Sequence, residues 1–198
     1  LIEAGSPHGM IPIGLNALDV ARIEAGFVLQ GVDYVTAKSC LVDALKSTPD
    51  DAGLGWTVDL DRDYFVGQAA IRAERKRGPV WDLVGLDISW EGLEELYSEY
   101  QIPPNLAPEA CRAAVPLYDR DGNQVGQVTS TTWSPTVKRY LALAQVRRPH
   151  HWTGTELYVE HTPMFERRRV RATVVDKPFF DPPRKRETPA SKPQAREE

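Results

Sequence analysis

The chain has 198 residues, of which 41% are hydrophobic and 26% charged, which is the composition of a globular protein with one large domain or a domain and part of another. The net charge of -4 disfavours a generic nucleic-acid-binding protein, and no run approaches the roughly 20 apolar residues of a membrane-spanning helix. Because the opening residues LIEAGSPHGM also lack a secretory-signal pattern, we expect a cytoplasmic protein without nucleic-acid or membrane partners.

The two cysteines, Cys40 and Cys111, lie far apart, without a CxxC motif or a histidine at ligand spacing. This pattern supports neither a disulfide framework nor a zinc site, so we expect free thiols and no metal. The chain begins with leucine on an apolar turn, which we interpret as the sign of a fragment of a longer protein.

The segment GLNALDVARIEAGF predicts a short helix. Leu15, Leu18 and Ile23 recur at helical spacing, Asn16 is a candidate N-cap, and Gly26 is placed to end the helix. Further along, DAGLGWTVDLDRDYFVGQAAI contains an alternating segment, WTVDL, before a charged turn. We therefore predict strand, turn and helix there, the helix GQAAIRAERKR being stopped by Gly78.

From Trp81 onward, the apolar residues alternate. Five or six strands are predicted, with Asp121-Gly122 as the clearest hairpin turn, and their spacing indicates a small antiparallel barrel or sandwich. The interruption EGLEELYSEYQIPPNLAPEACR is predicted to be a surface loop with one helical turn. The proline-rich, charged end of the chain is predicted to be disordered.

Six motifs in order carry a family resemblance: GLNALDVARIEAGF, TPDDAGLGWTVDLDRDYFVGQAAI, WDLVGLDI, DGNQVGQVTSTTWSPTVKRYLALAQV, GTELYVE and VVDKPFFDP. From about residue 10 to residue 182, the chain resembles the C-terminal half of the glycine-cleavage T-protein (aminomethyltransferase) family. The resemblance implies an α+β fold, in which the C-terminal part of a folate-binding body is followed by a small antiparallel β-barrel. The implied boundaries are residues 1–80 for the body, 81–182 for the barrel and 183–198 for a disordered tail.

The resemblance also implies tetrahydrofolate as cofactor and transfer of a one-carbon unit to it. The implied partners are folate, a small methylated or aminomethylated donor, and a lipoyl carrier protein. In the family, the catalytic aspartate and a pterin-holding glutamate precede the matched region. We therefore expect no catalytic residue in this chain, and no activity from the chain alone.

One family position departs from the pattern. Glycine-cleavage members have G-L-x-A-R-D, with an arginine that contacts folate, whereas GLNALD places Leu18 there. Leucine offers no hydrogen-bond donor, which favours a folate-dependent demethylase or a folate domain like those of dimethylglycine and sarcosine dehydrogenases. Alternatively, Leu18 packs in the core and folate is held elsewhere. A non-catalytic barrel that binds a partner or a pterin is the alternative from another class.

The remaining folate-binding candidates follow from the same resemblance. Asn16 and Arg22 share the helix of Leu18, although we favour capping and ion pairing as their roles. Trp133 lies in TSTTWSP, which matches a family turn; we favour a hydroxyl-rich turn that satisfies its own backbone over substrate contact. Three cationic residues lie where family members return a C-terminal arm to the folate, and they suit its glutamate tail or form a solvated tail: Arg184, Lys185 and Arg186.

Overall fold

The alternating segments form a closed antiparallel barrel. The structure, a computed structural model, describes residues 1–187, with six strands in the order β1-β4-β3-β2-β5-β6 around the barrel, each antiparallel to both neighbours. This confirms the prediction of a small antiparallel barrel. The strands are Trp81–Ile88 (β1), Val115–Tyr118 (β2), Gln124–Ser134 (β3), Arg139–Arg147 (β4), Glu156–His161 (β5) and Arg168–Val175 (β6).

Within residues 1–187, four helices accompany the barrel. They are Ile2–Gly5 (α1), Leu15–Glu24 (α2), Gln68–Arg77 (α3) and Trp90–Ser98 (α4). Short 3-10 turns lie at Ser6–His8, Asp43–Leu45, Gly55–Thr57, Pro163–Phe165 and Pro183–Lys185. Over residues 1–187, none of the helices has the length and apolar character needed to cross a membrane.

The strand β4 is apolar on both of its faces, the one inside the barrel and the one outside it. Alternate residues of a strand point to opposite sides of a sheet. On β4, Ala142 and Ala144 join the core inside the barrel, whereas Leu141 and Leu143 pack outside it with Ile23 of α2. α2 is therefore anchored on the outer wall, which places its polar residues against β3.

The predicted hairpin joins β2 to β3. The N–H of Asp119 donates to the carbonyl of Asn123 at 2.9 Å, and Gly122 has φ +86. That backbone conformation favours glycine, which explains the turn signal. The predicted helix stop at Gly78, with φ +87 at the end of α3, is confirmed for the same reason.

The predicted strand WTVDL is wrong. Gly55–Thr57 form a 3-10 turn, and Val58 and the residues up to the start of α3 are irregular. A strand needs a partner edge, and the closed barrel of the described residues offers none. Local alternation was therefore insufficient to make a strand.

The predicted surface loop after β1 is also wrong over its first half. α4 is a nine-residue helix whose N-cap Ser89 accepts a hydrogen bond from the N–H of Gly92 at 3.0 Å. Leu93, Leu96 and Tyr97 are buried against the barrel core. These three positions form one apolar helix face, but the glutamates between them make the segment look polar in the sequence.

The helix α2 begins two residues earlier than the predicted N-cap implies. Gly14 is the N-cap of α2 and Asn16 lies inside the helix, so the predicted Asn16 cap is wrong. The helix ends near Gly26, as predicted, with φ +70 at that glycine. Of the predicted tail, Pro183–Lys185 form one turn, and residues 188–198 lie outside the described part of the chain.

Candidate functional site

α2 is joined to the barrel by a buried polar network centred on Arg22. Its guanidinium donates to Asp19 Oδ1 at 2.8 Å, to Asp33 Oδ2 at 2.6 Å and to Ser130 Oγ at 2.8 Å. The Arg22 side chain is only 11% exposed. Because the guanidinium is occupied by two carboxylates and a hydroxyl, Arg22 supports the fold locally instead of presenting its donors to the surface.

Asp33 is the buried counterpart of this arginine, with a side chain that is 0% exposed. It accepts hydrogen bonds from the N–H of Leu29 at 2.8 Å, from Thr129 Oγ1 at 2.5 Å and from Ser130 Oγ at 2.7 Å. A carboxylate can be buried when it is paired and its lone pairs are satisfied. Asp33 thereby ties the loop after α2 to β3.

The segment TSTTWSP is strand, not a turn, over Thr129 to Ser134. Its outward hydroxyls bind acids of the α2 segment: Thr129 and Ser130 donate to Asp33, and Ser134 Oγ donates to Glu24 Oε1 at 2.5 Å. Some of the hydroxyls also satisfy their own backbone, as expected, because Ser134 Oγ accepts from the N–H of Val137 at 3.1 Å and Thr132 Oγ1 donates to the carbonyl of Trp133 at 3.2 Å. The family-like hydroxyl pattern therefore forms the barrel side of the α2 interface.

Asp19 completes the network at its surface end. It also accepts from Arg112 Nε at 2.7 Å. Burial acts to raise the pKa of Asp19, but hydrogen bonds from Arg22 and Arg112 outweigh it and hold the pKa below its ordinary value. The Asp19 carboxylate is therefore ionised at neutral pH. From its position on α2 it binds both Arg22 of the same helix and Arg112 of the segment before β2.

The first turn of α2 and the residues before it are apolar and exposed. Leu15 is 79% exposed and Leu18 is 54% exposed, next to an exposed Asn16 and the exposed Ile11 and Ile13. Within residues 1–187, Leu18 therefore does not pack in a core, and where folate is held stays a prediction. An exposed apolar surface of this kind is typical of a binding or packing surface.

Trp133 lies away from this surface. It pairs in the β3-β4 ladder with Tyr140, which packs on the barrel core, so Trp133 is on the face of β3 opposite to Ser130 and Ser134. Its ring contacts that of Trp90 with centroids 5.0 Å apart. The structure thus separates Trp133 from the other predicted folate-binding residues.

The C-terminal segment returns to the end of α2. The N–H of Phe180 donates to the carbonyl of Glu24 at 3.0 Å. Lys185 and Arg186 both contact the Asp181 carboxylate. Arg184 lies in the same 3-10 turn as Lys185, and Arg186 follows that turn directly. The three predicted cations therefore lie at the C-terminal end of α2, while Asn16 and Leu18 lie towards its N-terminal end.

An open cleft of about 690 Å³ lies beside this segment. Its wall is formed by the turn after α2, the loop around Gly53, and the C-terminal segment. The volume is within the range of small-molecule sites. Its principal side chains are Phe27, Tyr34, Trp56, Leu83, Lys177 and Lys185.

Sequence reasoning missed Asp33 and Lys177. A single acid in the apolar run FVLQGVDYV is a usable signal for a paired buried carboxylate, since an unpaired one is too costly to bury. Lys177 carried no sequence signal, because its surroundings come from distant segments. No group of three or more potential metal ligands comes together within residues 1–187.

The architecture defines an α+β protein in which a polar helix is clamped to the outer wall of a closed antiparallel barrel. The family model described as "Glycine cleavage T-protein C-terminal barrel domain" matches residues 83–181. The chain belongs to the glycine cleavage T-protein family, as its sequence motifs predicted.

Similar proteins extend the match beyond the barrel. An aminomethyltransferase from Halalkalibacterium halodurans is 31% identical over 180 residues, covering 91% of this chain and 41% of that protein. A trimethylamine-oxide aldolase from Ruegeria pomeroyi is 34% identical over 186 residues, covering 93% of this chain and 20% of that protein. The chain thus spans about two-fifths or less of the length of these relatives.

A solved structure supports the same fold. The crystal structure of glycine cleavage system aminomethyltransferase T from Bartonella henselae matches with a TM-score of 0.64 and 27% identity. The match covers 85% of this chain and 39% of that chain. It therefore includes part of the region before the barrel as well as the barrel.

Proposed function

We propose that this chain supplies the C-terminal part of the folate-binding body and the C-terminal barrel of a tetrahydrofolate-dependent enzyme that transfers a one-carbon unit. The observation that supports this most is the extent of the match, since aminomethyltransferase relatives align over 91% of the chain and not over the barrel alone. The α2 segment and the barrel are also one interlocked unit through Arg22 and Asp33.

The side chains that line the cleft suit the binding of part of a folate molecule. The Phe27 and Trp56 rings line a cleft with Lys185, which combines aromatic surface with a cation for a ligand that has a ring and carboxylates. Tetrahydrofolate, when bound, supplies the ring nitrogen that accepts the one-carbon unit. The role of this chain is to hold the ligand and exclude water, because its own acids are engaged in ion pairs and hydrogen bonds at the α2 interface.

The donor branch is a second proposal. Leu18 replaces the arginine of glycine-cleavage members and is exposed, so it offers apolar contact where those members offer a guanidinium. The similarity to a trimethylamine-oxide aldolase favours the same direction. We therefore propose a methylated amine as an alternative donor to an aminomethylated lipoyl carrier, in an enzyme of the demethylase or dimethylglycine and sarcosine dehydrogenase type that acts in the cytoplasm.

The test compares the purified chain with the full-length protein. Each is incubated with tetrahydrofolate and, in turn, aminomethylated carrier protein, dimethylglycine, sarcosine and trimethylamine oxide, and the one-carbon folates are measured by chromatography. We expect transfer by the full-length protein and none by the chain alone, since losing a positioned acid or base removes about 10²- to 10⁴-fold in rate.

Two results would overturn this proposal. Turnover by the chain alone that is lost in Asp19→Ala or Glu24→Ala would place a catalytic site in this half. Absence of folate binding and of transfer in both proteins would instead support a non-catalytic binding module. A triple variant with Arg184→Ala, Lys185→Ala and Arg186→Ala tests the role of the three cations in folate binding, independently of turnover. We expect this variant to bind folate more weakly with its fold unchanged.

A further inference from the structure

The Lys177 side chain passes close to three glycines from separate segments. A Cβ added to Gly26 would lie 3.3 Å from Lys177 Cβ, one added to Gly85 would lie 3.1 Å from its Cγ, and one added to Gly53 would lie 3.3 Å from its Nζ. The absence of side chains at these positions therefore makes room for the lysine stem and, at Gly85, for the Phe179 ring as well, which an added Cβ would approach to 2.7 Å. It also leaves the amine beside Gly53, in the wall of the cleft.

The amine has few partners for a charged group. Nζ donates to the carbonyl of Leu83 at 2.6 Å, and this is its sole hydrogen-bond partner among residues 1–187. An ammonium carries three donors, so the charged form is poorly satisfied here. No carboxylate of the described chain lies within ion-pairing distance of it.

These surroundings weaken protonation. Burial lowers the pKa of Lys177 to about 8, against the opposing effects of the Asp33 and Asp82 charges. The other charged side chain on the cleft is Lys185, from the C-terminal segment. Relative to a lysine of ordinary pKa 10.5, the fraction of neutral amine at pH 7 is higher by roughly 300-fold.

We propose that Lys177 is a reactive amine that forms a reversible covalent adduct with a small aldehyde in this cleft. The geometry that supports the proposal is a lysine stem packed close to three glycines, with its amine at the wall of an open cleft and one acceptor within residues 1–187, the Leu83 carbonyl. Lysine amines in such desolvated sites are known to act as nucleophiles toward carbonyl compounds. The expectation that the aldehyde is formaldehyde rests on the proposed one-carbon function.

The chemistry balances without a further reactant. The neutral Nζ lone pair attacks the carbonyl carbon, a nitrogen–carbon bond forms, and the carbon–oxygen π pair moves to oxygen. The oxygen takes the proton that the nitrogen loses, which gives a carbinolamine. Protonation of its hydroxyl and departure of water give an iminium, and hydrolysis reverses both steps, so the amine could hold an aldehyde and release it.

The experiment is competitive labelling of the full chain with limiting formaldehyde and cyanoborohydride. Cyanoborohydride reduces the iminium to a methylamine, and peptide mass spectrometry measures the rate at each lysine between about pH 6 and pH 10. We expect Lys177 to be methylated at least about tenfold faster at pH 7 than the lysines Lys38 and Lys138, with a labelling midpoint near 8. This tenfold threshold in labelling rate is lower than the ratio of neutral amine fractions, because burial restricts access of formaldehyde to the Lys177 amine.

Two variants separate the cleft lysines. Lys177→Arg keeps a donor for the Leu83 carbonyl but cannot form the iminium, so the fast label should vanish, and Lys185→Arg should leave it intact. Labelling of Lys177 no faster than that of Lys38 and Lys138, or with a midpoint above about 9, would overturn the inference. Because labelling needs neither folate nor a methyl donor, its failure is distinguishable from failure of the proposed transfer.

Discussion

Replacing Arg22 with methionine should strongly destabilise the protein. Methionine keeps much of the volume of the side chain but removes the hydrogen bonds to Asp19, Asp33 and Ser130. The Asp33 carboxylate would then stay fully buried without its ion-pair partner, although it keeps two hydroxyl donors and a backbone N–H. Water therefore cannot replace the lost ion pair at the Asp33 carboxylate.

The size of this effect follows from the burial. Removing one partner of a buried ion pair costs about 3–5 kcal/mol, and the donors that remain on Asp33 place Arg22→Met at the lower end, about 3 kcal/mol. For a chain of this length, that loss corresponds to a fall in Tm of roughly 6 to 12 °C. Urea unfolding followed by tryptophan fluorescence and far-UV circular dichroism measures the free energy of unfolding.

An exposed arginine on the same barrel provides the matched control. Arg171 lies 3.9 Å from Glu91, and their side chains are 53% and 83% exposed. Arg171→Met should cost at most about 1 kcal/mol, because solvent screens such a pair. Adding Asp33→Asn to Arg22→Met should recover part of the loss, since the unpaired buried charge is then removed. If Arg22→Met costs no more than Arg171→Met, the network is not what holds α2 to the barrel.

Three further predictions concern the folate surface, the barrel and a half-buried acid. Leu18→Ala should change folate affinity of the full-length protein by less than tenfold, about 1.4 kcal/mol, in titration calorimetry, because Leu18 offers no polar donor; a larger loss would mean that it packs directly on the ligand. Residues 81–180 alone should give dispersed amide resonances, because β1 to β6 close the barrel without α2, and a collapsed spectrum would contradict this. Burial raises the pKa of Asp87 despite the Arg139 charge, so ionisation of Asp87 disfavours the fold above the unfolded pKa of about 3.9. Asp87→Asn should therefore unfold at an equal or higher urea concentration at neutral pH, with the difference fading below about pH 4; a clear loss at neutral pH would refute the assigned cause.

The sequence alone determined the features that depend on local chemistry. Alternating apolar residues after Trp81 and the Asp121-Gly122 turn predicted an antiparallel barrel or sandwich, because strand period and turn conformation are properties of a few neighbouring residues. The family resemblance selected the barrel. The helix stops at Gly26 and Gly78 were predictable for the same reason, since a positive φ favours glycine. The ordered motifs also identified the family, which the barrel match over residues 83–181 confirms.

Only the tertiary structure decided which of the polar residues are buried and what they bind. Arg22 and Ser130 are far apart in the chain but 2.8 Å apart in the fold, so the arginine predicted to bind folate is enclosed by its own protein. Closure of the barrel removed the edge that WTVDL would have needed as a strand. The surroundings of Lys177 come from separate segments, among them Gly26, Gly53 and Gly85, and burial there lowers the pKa of its amine, because desolvation depends on atoms brought together by the fold.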